Sequence, residues 1–146
     1  DEQWQIELRN CAKSYLGSTE YIERTYLPSM FGFSSYPDRE GSYKCNIFVA
    51  HRAVQVGLPI PAVHGIIGSY PPLANEWYDS SYDIKGWEVI TLSDFPQVGF
   101  VSAKWGEING HMGIVDFDGN VISAGMDNVN RFLSLKNTIM RKFKEK

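Results

Sequence analysis

The chain has 146 residues, of which 43% are hydrophobic and 21% are charged, and its net charge is −3 at pH 7. This length and composition predict one folded domain, residues 1–146, and exclude intrinsic disorder. They also exclude a globally basic nucleic-acid binder, a disulfide scaffold or structural zinc site, for which two cysteines are too few, and a membrane-spanning helix, which needs about 20 apolar residues.

The N-terminal part of the chain is predicted to be helical. Apolar residues recur three and four positions apart over residues 4–16, which indicates an amphipathic helix. Cys11 lies on the apolar stripe of this helix, where a cysteine usually acts as a small buried hydrophobe. A shorter helix is predicted over residues 19–27. Residues 28–44 are rich in Gly, Ser, Pro and aromatic side chains, which predicts a long loop.

Residues 45–57 are predicted to form a central helix. Their apolar side chains cover most of the helix circumference, a pattern that is typical of a helix buried in the middle of a domain. Gly57 and the prolines that follow it mark the end of this helix. Residues 58–86 predict loops, with one short helix near residues 73–78.

Beyond Trp87 the sequence pattern predicts strands. They are expected at residues 87–92, 98–103, 111–115 and 121–124. Asn109-Gly110 and residues 116–120 predict turns, and residues 130–143 predict a strand followed by a basic helix. Helices that precede an antiparallel sheet predict an α+β domain.

Cys45 is a candidate nucleophile because it begins the predicted central helix. A helix N-terminus carries about half a positive elementary charge and free N–H donors, which stabilise a thiolate and lower the pKa of a cysteine. The same N–H groups can bind the oxyanion that forms on an attacked carbonyl. The alternative is an inert cysteine at a helix start. We expect no disulfide with Cys11, and we expect Cys45 to alkylate faster than Cys11.

A nucleophilic cysteine needs a general base, and the chain has three histidines. His51 follows Cys45 in the same helix by about 600° of rotation, so we expect it in the core or on the surface. His64 lies in a loop whose position the sequence does not fix. His111 begins a predicted strand directly after a turn. A cysteine at a helix start with a histidine on a later strand is a general arrangement for acyl transfer.

Three segments occur in a recognisable order: GSYKCNIFV at residues 41–49, PQVGFV at residues 96–101 and GHMGIV at residues 110–115. Together they resemble the papain-like peptidoglycan amidases of the NlpC and CHAP (cysteine, histidine-dependent amidohydrolase/peptidase) superfamily. The chain is most similar to the type VI secretion amidase effectors and their secreted eukaryotic relatives. The resemblance covers roughly residues 40–125.

This resemblance implies a papain-like fold, with N-terminal helices and the nucleophile helix packed on an antiparallel sheet. It implies that Cys45 is the nucleophile and His111 the general base. Family members orient the imidazole through a third polar residue. The matching position, twelve residues after His111, is Ser123, and a serine is a weaker orienter than a carboxylate.

Whether Ser123 reaches His111 depends on the turn between their strands. A two-residue turn at residues 118–119 would place Ala124 and Met126 on the face of His111. A three-residue turn with a glycine bulge would place Ser123 on that face.

Three other polar residues compete with Ser123. Asp116 is five residues along the strand from His111, roughly 16 Å away and on the opposite face, which counts against it. Asp127 and Asn128 follow the next strand and are further candidates.

Tyr43 and Asn46 flank Cys45 and are predicted to contact the substrate. Tyr43 could hydrogen-bond the substrate or the oxyanion, and Asn46 could orient the turn that carries the nucleophile. The alternatives are a tyrosine packed on the helix start and a capping asparagine. The basic residues at 141–146 predict a solvated helix end, with attraction to anionic wall polymers as the alternative.

The resemblance implies a cysteine amidase or endopeptidase that hydrolyses peptidoglycan stem or cross-link peptides as an antibacterial lytic enzyme. It favours the D-alanyl–meso-diaminopimelate bond, with the γ-D-glutamyl–diaminopimelate bond second. It implies no metal or organic cofactor. We interpret the chain as mature or trimmed, and expect a secreted monomer, or one delivered to the wall or periplasm of a target cell. A bacterial effector would also have an immunity protein as partner.

Two other functions remain open. A non-catalytic module could bind cell wall or glycan through exposed aromatic side chains, and the candidates are Trp77, Tyr78, Trp87 and Trp105. An acyltransferase on the same scaffold would need an acceptor pocket. No nucleic-acid partner is expected.

Overall fold

The computed structural model describes residues 2–21, 29–33, 44–64, 70–90, 97–107, 110–117, 119–125, 128–132 and 137–144. These ranges contain α1 (Gln3–Lys13), α2 (Cys45–Gln55), α3 (Ala74–Tyr78), β1 (Trp87–Val89), β2 (Val101–Lys104), β3 (His111–Val115), β4 (Val121–Ala124), β5 (Val129–Phe132) and β6 (Thr138–Phe143). All strand pairs are antiparallel, and the sheet order is β1-β6-β2-β3-β4-β5. The α+β class is therefore confirmed.

Helix α1 begins with a capping arrangement and is shorter than the sequence predicts. The N–H of Glu2 donates to the Gln5 side chain at 2.9 Å, which satisfies a backbone donor at the helix start. The helix ends at Lys13 rather than at residue 16. Its buried residues are Trp4, Gln5, Leu8 and Ala12. Cys11 lies at the border of this face, is only partly buried and bonds to Gln55 at 3.3 Å.

Helix α2 is the central helix of the fold. Every residue from Cys45 to Ala53 is buried, because α2 packs between α1 and the strands β3 and β4. Burying a large aliphatic or aromatic side chain contributes about 1.5–3 kcal/mol, so this helix holds much of the core. The predicted central position of the helix is confirmed.

The predicted basic helix near the C-terminus is wrong. Residues 138–143 form β6, which lies between β1 and β2 in the sheet. The side chain of Arg141 is buried and donates hydrogen bonds to four carbonyl oxygens around the end of α3, those of Glu76, Trp77, Asp79 and Tyr82. Arg141 is therefore not part of a solvated basic tail. Lys142 lies 3.8 Å from Glu88 of β1.

The turn predicted at Asn109-Gly110 lies partly outside the described residues. β2 ends at Lys104 and β3 begins at His111. The amide of Asn75 in α3 bonds both the carbonyl oxygen of Gly106 at 2.7 Å and its N–H at 3.0 Å. A Cβ on Gly110 would collide with Asn75 Oδ1, so the close approach of α3 requires glycine there.

Several predicted elements lie partly outside the described residues, among them the long loop predicted over residues 28–44 and the segment predicted over residues 130–143. Most of the helix predicted over residues 19–27 falls there, as does the end of the strand predicted over residues 87–92. None of the described helices has the length and hydropathy that a membrane span requires.

Candidate active site

Cys45 is the first residue of α2 and lies against β3. Its side chain is 2% exposed. The backbone N–H groups of Met112, Asn46 and Cys45 itself lie near the sulfur and act to lower the pKa of the thiol. Met112 directly follows His111 in β3, so the N-terminus of α2 is held beside the start of the strand that carries His111.

The expected low pKa of Cys45 is wrong for the free protein. Burial raises the pKa of this thiol to about 11, although the three backbone N–H groups act in the opposite direction. Desolvation outweighs the helix terminus because a thiolate at this site loses nearly all contact with water. At neutral pH the sulfur therefore carries its proton. The expected faster alkylation of Cys45 is also disfavoured, since Cys11 is the more exposed of the two free cysteines.

His111 begins β3 and is partly buried, with Lys104 of β2 as its Cα partner. Burial lowers the pKa of the imidazole, and the charge of Lys104 lowers it further. The ring is thus neutral at physiological pH, which is the form that accepts a proton.

The side chain of Ser123 forms hydrogen bonds with both the His111 ring and the backbone of Met112. Its Oγ lies 3.0 Å from His111 Nε2 and 2.5 Å from the carbonyl oxygen of Met112. A carbonyl only accepts, so the single hydroxyl proton of Ser123 goes to Met112. The hydroxyl oxygen must then accept the proton of His111 Nε2–H. This network assigns the Nε2–H tautomer and leaves the basic lone pair on Nδ1.

The register that brings Ser123 to His111 is the second of the two predicted alternatives. The N–H of Asp116 bonds the carbonyl oxygen of Asn120 at 2.7 Å, so these two residues close the turn and three positions separate them. Gly119 has φ +77°, the left-handed conformation of a glycine bulge. Ile114 consequently pairs with Ile122, and Gly113 lies opposite Ser123.

Gly113 adjoins the candidate site, although the candidate residues chosen from the sequence do not include it. A Cβ there would collide with the carbonyl of Ile122 and the side chain of Val121, and would lie 2.9 Å from Ser123 Cβ. The missing side chain therefore makes room for the bond between Ser123 and His111. A glycine inside a short apolar strand often marks such a close approach, and this signal was present in GHMGIV.

Asp116 is bound elsewhere. It lies 2.6 Å from Arg9 Nε and 2.8 Å from Arg131 Nε. Burial acts to raise the pKa of Asp116. The hydrogen bonds from Arg131 and Arg9 have the larger effect and lower this pKa to about 2. Of the other two competitors, Asp127 lies outside the described residues, and the Asn128 side chain accepts a bond from Asn130 at 3.2 Å.

The two residues predicted to bind substrate differ in what the structure describes. Asn46 is buried, and its amide donates to the carbonyl of Pro72 at 3.1 Å. This bond ties the start of α2 to the segment that leads into α3. Tyr43 lies outside the described residues. Substrate contact by both residues stays a prediction.

The other two histidines, His51 and His64, bond to residues other than Cys45, His111 and Ser123. His51 is fully buried, and its Nδ1 lies 2.6 Å from the hydroxyl of Tyr21. Burial lowers the pKa of His51 to about 4, and the neighbouring Arg52 acts in the same direction. His64 pairs with Glu76 of α3 at 2.5 Å. His51 is therefore a core residue, as its rotation relative to Cys45 predicts.

A wall-binding surface that uses all four candidate aromatic residues is excluded. Trp77 and Trp87 are 1% and 3% exposed and pack against each other in the core. Trp105 alone of the three tryptophans is exposed, and Tyr78 is partly buried beside it.

No group of three or more His, Cys, Asp and Glu side chains that could hold a metal ion occurs within the ranges described above. Comparison with known proteins gives no family, since no protein-family model and no curated protein matches the chain.

Proposed function

We propose that the protein is a cysteine amidase or endopeptidase that hydrolyses peptidoglycan stem or cross-link peptides. The observation that carries the proposal is the position of Met112. Its N–H lies near enough to the sulfur of Cys45 to lower the pKa of the thiol, its carbonyl accepts from Ser123, and it follows His111 directly in the strand on which α2 packs. Nucleophile, base and orienting hydroxyl thus share one short stretch of backbone.

In the proposed reaction, His111 acts as a general base on a neutral thiol. As the sulfur attacks the amide carbonyl carbon, Nδ1 takes the thiol proton and the C–S bond forms. The carbonyl electron pair moves to oxygen, and backbone N–H groups at the start of α2 stabilise that oxyanion. Ser123 accepts from Nε2–H throughout and holds the ring in place.

The second half of the reaction returns the site to its starting state. The Nδ1 proton moves to the leaving amine nitrogen as the C–N bond breaks, which leaves a thioester on Cys45. Water then attacks the thioester with His111 as base, and the thiol is regenerated. The scheme uses the chain's own residues and water.

The peptidoglycan substrate rests on the resemblance of residues 41–49, 96–101 and 110–115 to wall amidases. We propose the D-alanyl–meso-diaminopimelate cross-link as the bond that is cut, with γ-D-glutamyl–diaminopimelate as second candidate. The corresponding biological role is an antibacterial lytic enzyme that acts at the cell wall or in the periplasm.

Incubation with purified peptidoglycan, followed by mass analysis of the released fragments, tests activity and bond together. Cys45→Ala should abolish fragment release while the circular dichroism spectrum stays that of the parent. His111→Ala should lose the roughly 10²–10⁴ of general acid–base catalysis, because the sulfur then loses its only proton acceptor in the scheme. Cys11→Ala is the matched control and should retain activity.

Release of the same fragments by folded Cys45→Ala would refute the proposal. Binding of peptidoglycan by parent and Cys45→Ala alike, with no fragments from either, would identify a wall-binding module instead.

A further inference from the structure

Trp105 differs from the other tryptophans in its exposure. It is 57% exposed, whereas Trp4, Trp77 and Trp87 are buried. The ring of Tyr78 lies beside it, with 6.4 Å between centroids and 52° between planes. The flanking residues Lys104 and Glu107 are exposed as well. The surface therefore presents two tilted aromatic rings, and exposed charged residues lie near Trp105 in the chain.

The segment that carries Trp105 is fixed to the fold. The next residue, Gly106, forms two hydrogen bonds with Asn75, through its N–H and through its carbonyl. Tyr78 belongs to the same helix as Asn75, so α3 positions both rings. Rings held in place before binding lose little conformational entropy when a ligand arrives, which is the property of a binding surface.

This pair of rings is next to the candidate active site. Trp105 follows Lys104, and Lys104 is the Cα partner of His111. On the other side, the Asn46–Pro72 bond joins the residue after Cys45 to the segment before α3. Both connections bring the rings to the end of the sheet where His111 and Cys45 lie.

We propose that Trp105 and Tyr78 bind a sugar ring of the glycan strand that carries the peptide substrate. This inference rests on the proposed function. The flat C–H face of a pyranose packs on an indole ring, while its hydroxyl groups point outward. On this surface the sugar hydroxyl groups would contact the side chains of Lys104 and Glu107. Trp105 is then a positioning residue that presents the attached peptide to Cys45 and takes no part in the chemistry.

Binding can be measured without turnover, because a soluble tetramer of β-1,4-linked N-acetylglucosamine contains no peptide. Trp105 should dominate quenching of the protein's fluorescence by iodide, since iodide does not penetrate the core where the other tryptophans lie. The tetramer should protect this fluorescence. Trp105→Phe should remove the quenched component, which assigns the signal.

Kinetics provide the second measurement. Trp105→Ala should raise KM for intact peptidoglycan about tenfold with little change in kcat. It should leave kcat/KM for a soluble stem peptide near that of the parent. Trp105→Phe keeps an aromatic ring and should therefore have a KM for intact peptidoglycan close to that of the parent. Phe117→Ala is the matched control, because Phe117 is 56% exposed but lies in the turn at the far end of β3.

Protection by the tetramer together with the selective KM effect would support the proposal. Protection by a soluble stem peptide but not by the tetramer would overturn it and assign the rings to the peptide. An absence of protection by either, or equal KM effects of Trp105→Ala and Phe117→Ala, would also overturn it. Protection by the tetramer in a protein that releases no fragments would support glycan binding and refute the amidase.

Discussion

The hydroxyl of Ser123 lies 3.0 Å from Nε2 of His111 and thereby determines which ring nitrogen is the base. Because Ser123 gives its proton to Met112, it can only accept from Nε2–H. A serine placed this way fixes the tautomer and orientation of the imidazole but supplies no charge. In the proposed reaction the site is thus a cysteine–histidine pair with a neutral third member.

Ser123→Ala should lower kcat/KM about tenfold, equivalent to about 1.4 kcal/mol. The loss is modest because a neutral hydrogen bond is about half as strong as one to a carboxylate. The measurement is the rate of peptide release by Ser123→Ala beside Asp127→Asn and Asn128→Ala, both of which should remain near the parent. A thousandfold loss in either of these, with Ser123→Ala near normal, would assign the orienting role to that residue.

Asp116→Asn should affect stability and leave kcat/KM near that of the parent. The carboxylate of Asp116 bonds Arg9 and Arg131, and its pKa of about 2 lies below the ordinary value of 3.8. Its contribution, about 2 kcal/mol at pH 7, is present above pH 3.8 and is lost as the pH falls through 2. Urea unfolding of parent and variant at pH 7 measures it. Equal stability, or a large kinetic defect, would contradict this role.

The acid limb of kcat/KM should lie below pH 6.5, because burial and then Lys104 lower the pKa of His111. The base is active when neutral, so activity rises as the pH increases through the pKa of His111. Lys104→Gln should move this limb to higher pH, because removal of the positive charge makes the imidazolium more stable. Profiles with a soluble peptide substrate provide the measurement, and Lys85→Gln is a control. A limb that moves to lower pH in Lys104→Gln would contradict the electrostatic assignment.

In the free protein, Cys11 should react with iodoacetamide faster than Cys45. Cys45 is 2% exposed and its pKa is about 11, so at pH 7.5 fewer than about one sulfur in a thousand is a thiolate. Cys11 also has a raised pKa from burial, but its side chain is only partly buried. Mass analysis after timed labelling gives both rates, and Cys11→Ala and Cys45→Ala identify the labelled residue. Faster labelling of Cys45 would show a thiolate that burial does not suppress.

Acid should destabilise the fold through His51. Its pKa of about 4 in the folded protein lies below the ordinary 6.5, so the unfolded chain binds the proton more readily. The stability that the fold gains from keeping His51 neutral, about 3 kcal/mol, is fully present above pH 6.5 and is lost as the pH falls towards 4. His51→Gln should show a shallower decrease in the free energy of unfolding over this interval, measured by urea titration. An unchanged slope would show that another group causes the acid sensitivity.

The sequence by itself determined the elements whose patterns are local. The boundaries of β3 and β4 and the start of α2 at Cys45 agree with the predicted ones, because apolar periodicity and turn residues act over a few neighbouring positions. The positions of Cys45 at a helix start and of His111 at a strand start follow from the same patterns. These features are enough to select both candidate residues.

Tertiary structure decided everything that depends on partners distant in the chain. Residues 138–143 form a strand because they pair with both β1 and β2 and because Arg141 donates hydrogen bonds to carbonyl groups at the end of α3. These partners are distant in the chain, so the local sequence pattern does not indicate them. The pKa of Cys45 is raised because desolvation by the packed core has a larger effect than the helix terminus. Ser123 lies beside His111 because the turn closed by Asp116 and Asn120 sets one of two possible registers. A shift of one residue would place the hydroxyl on the other face.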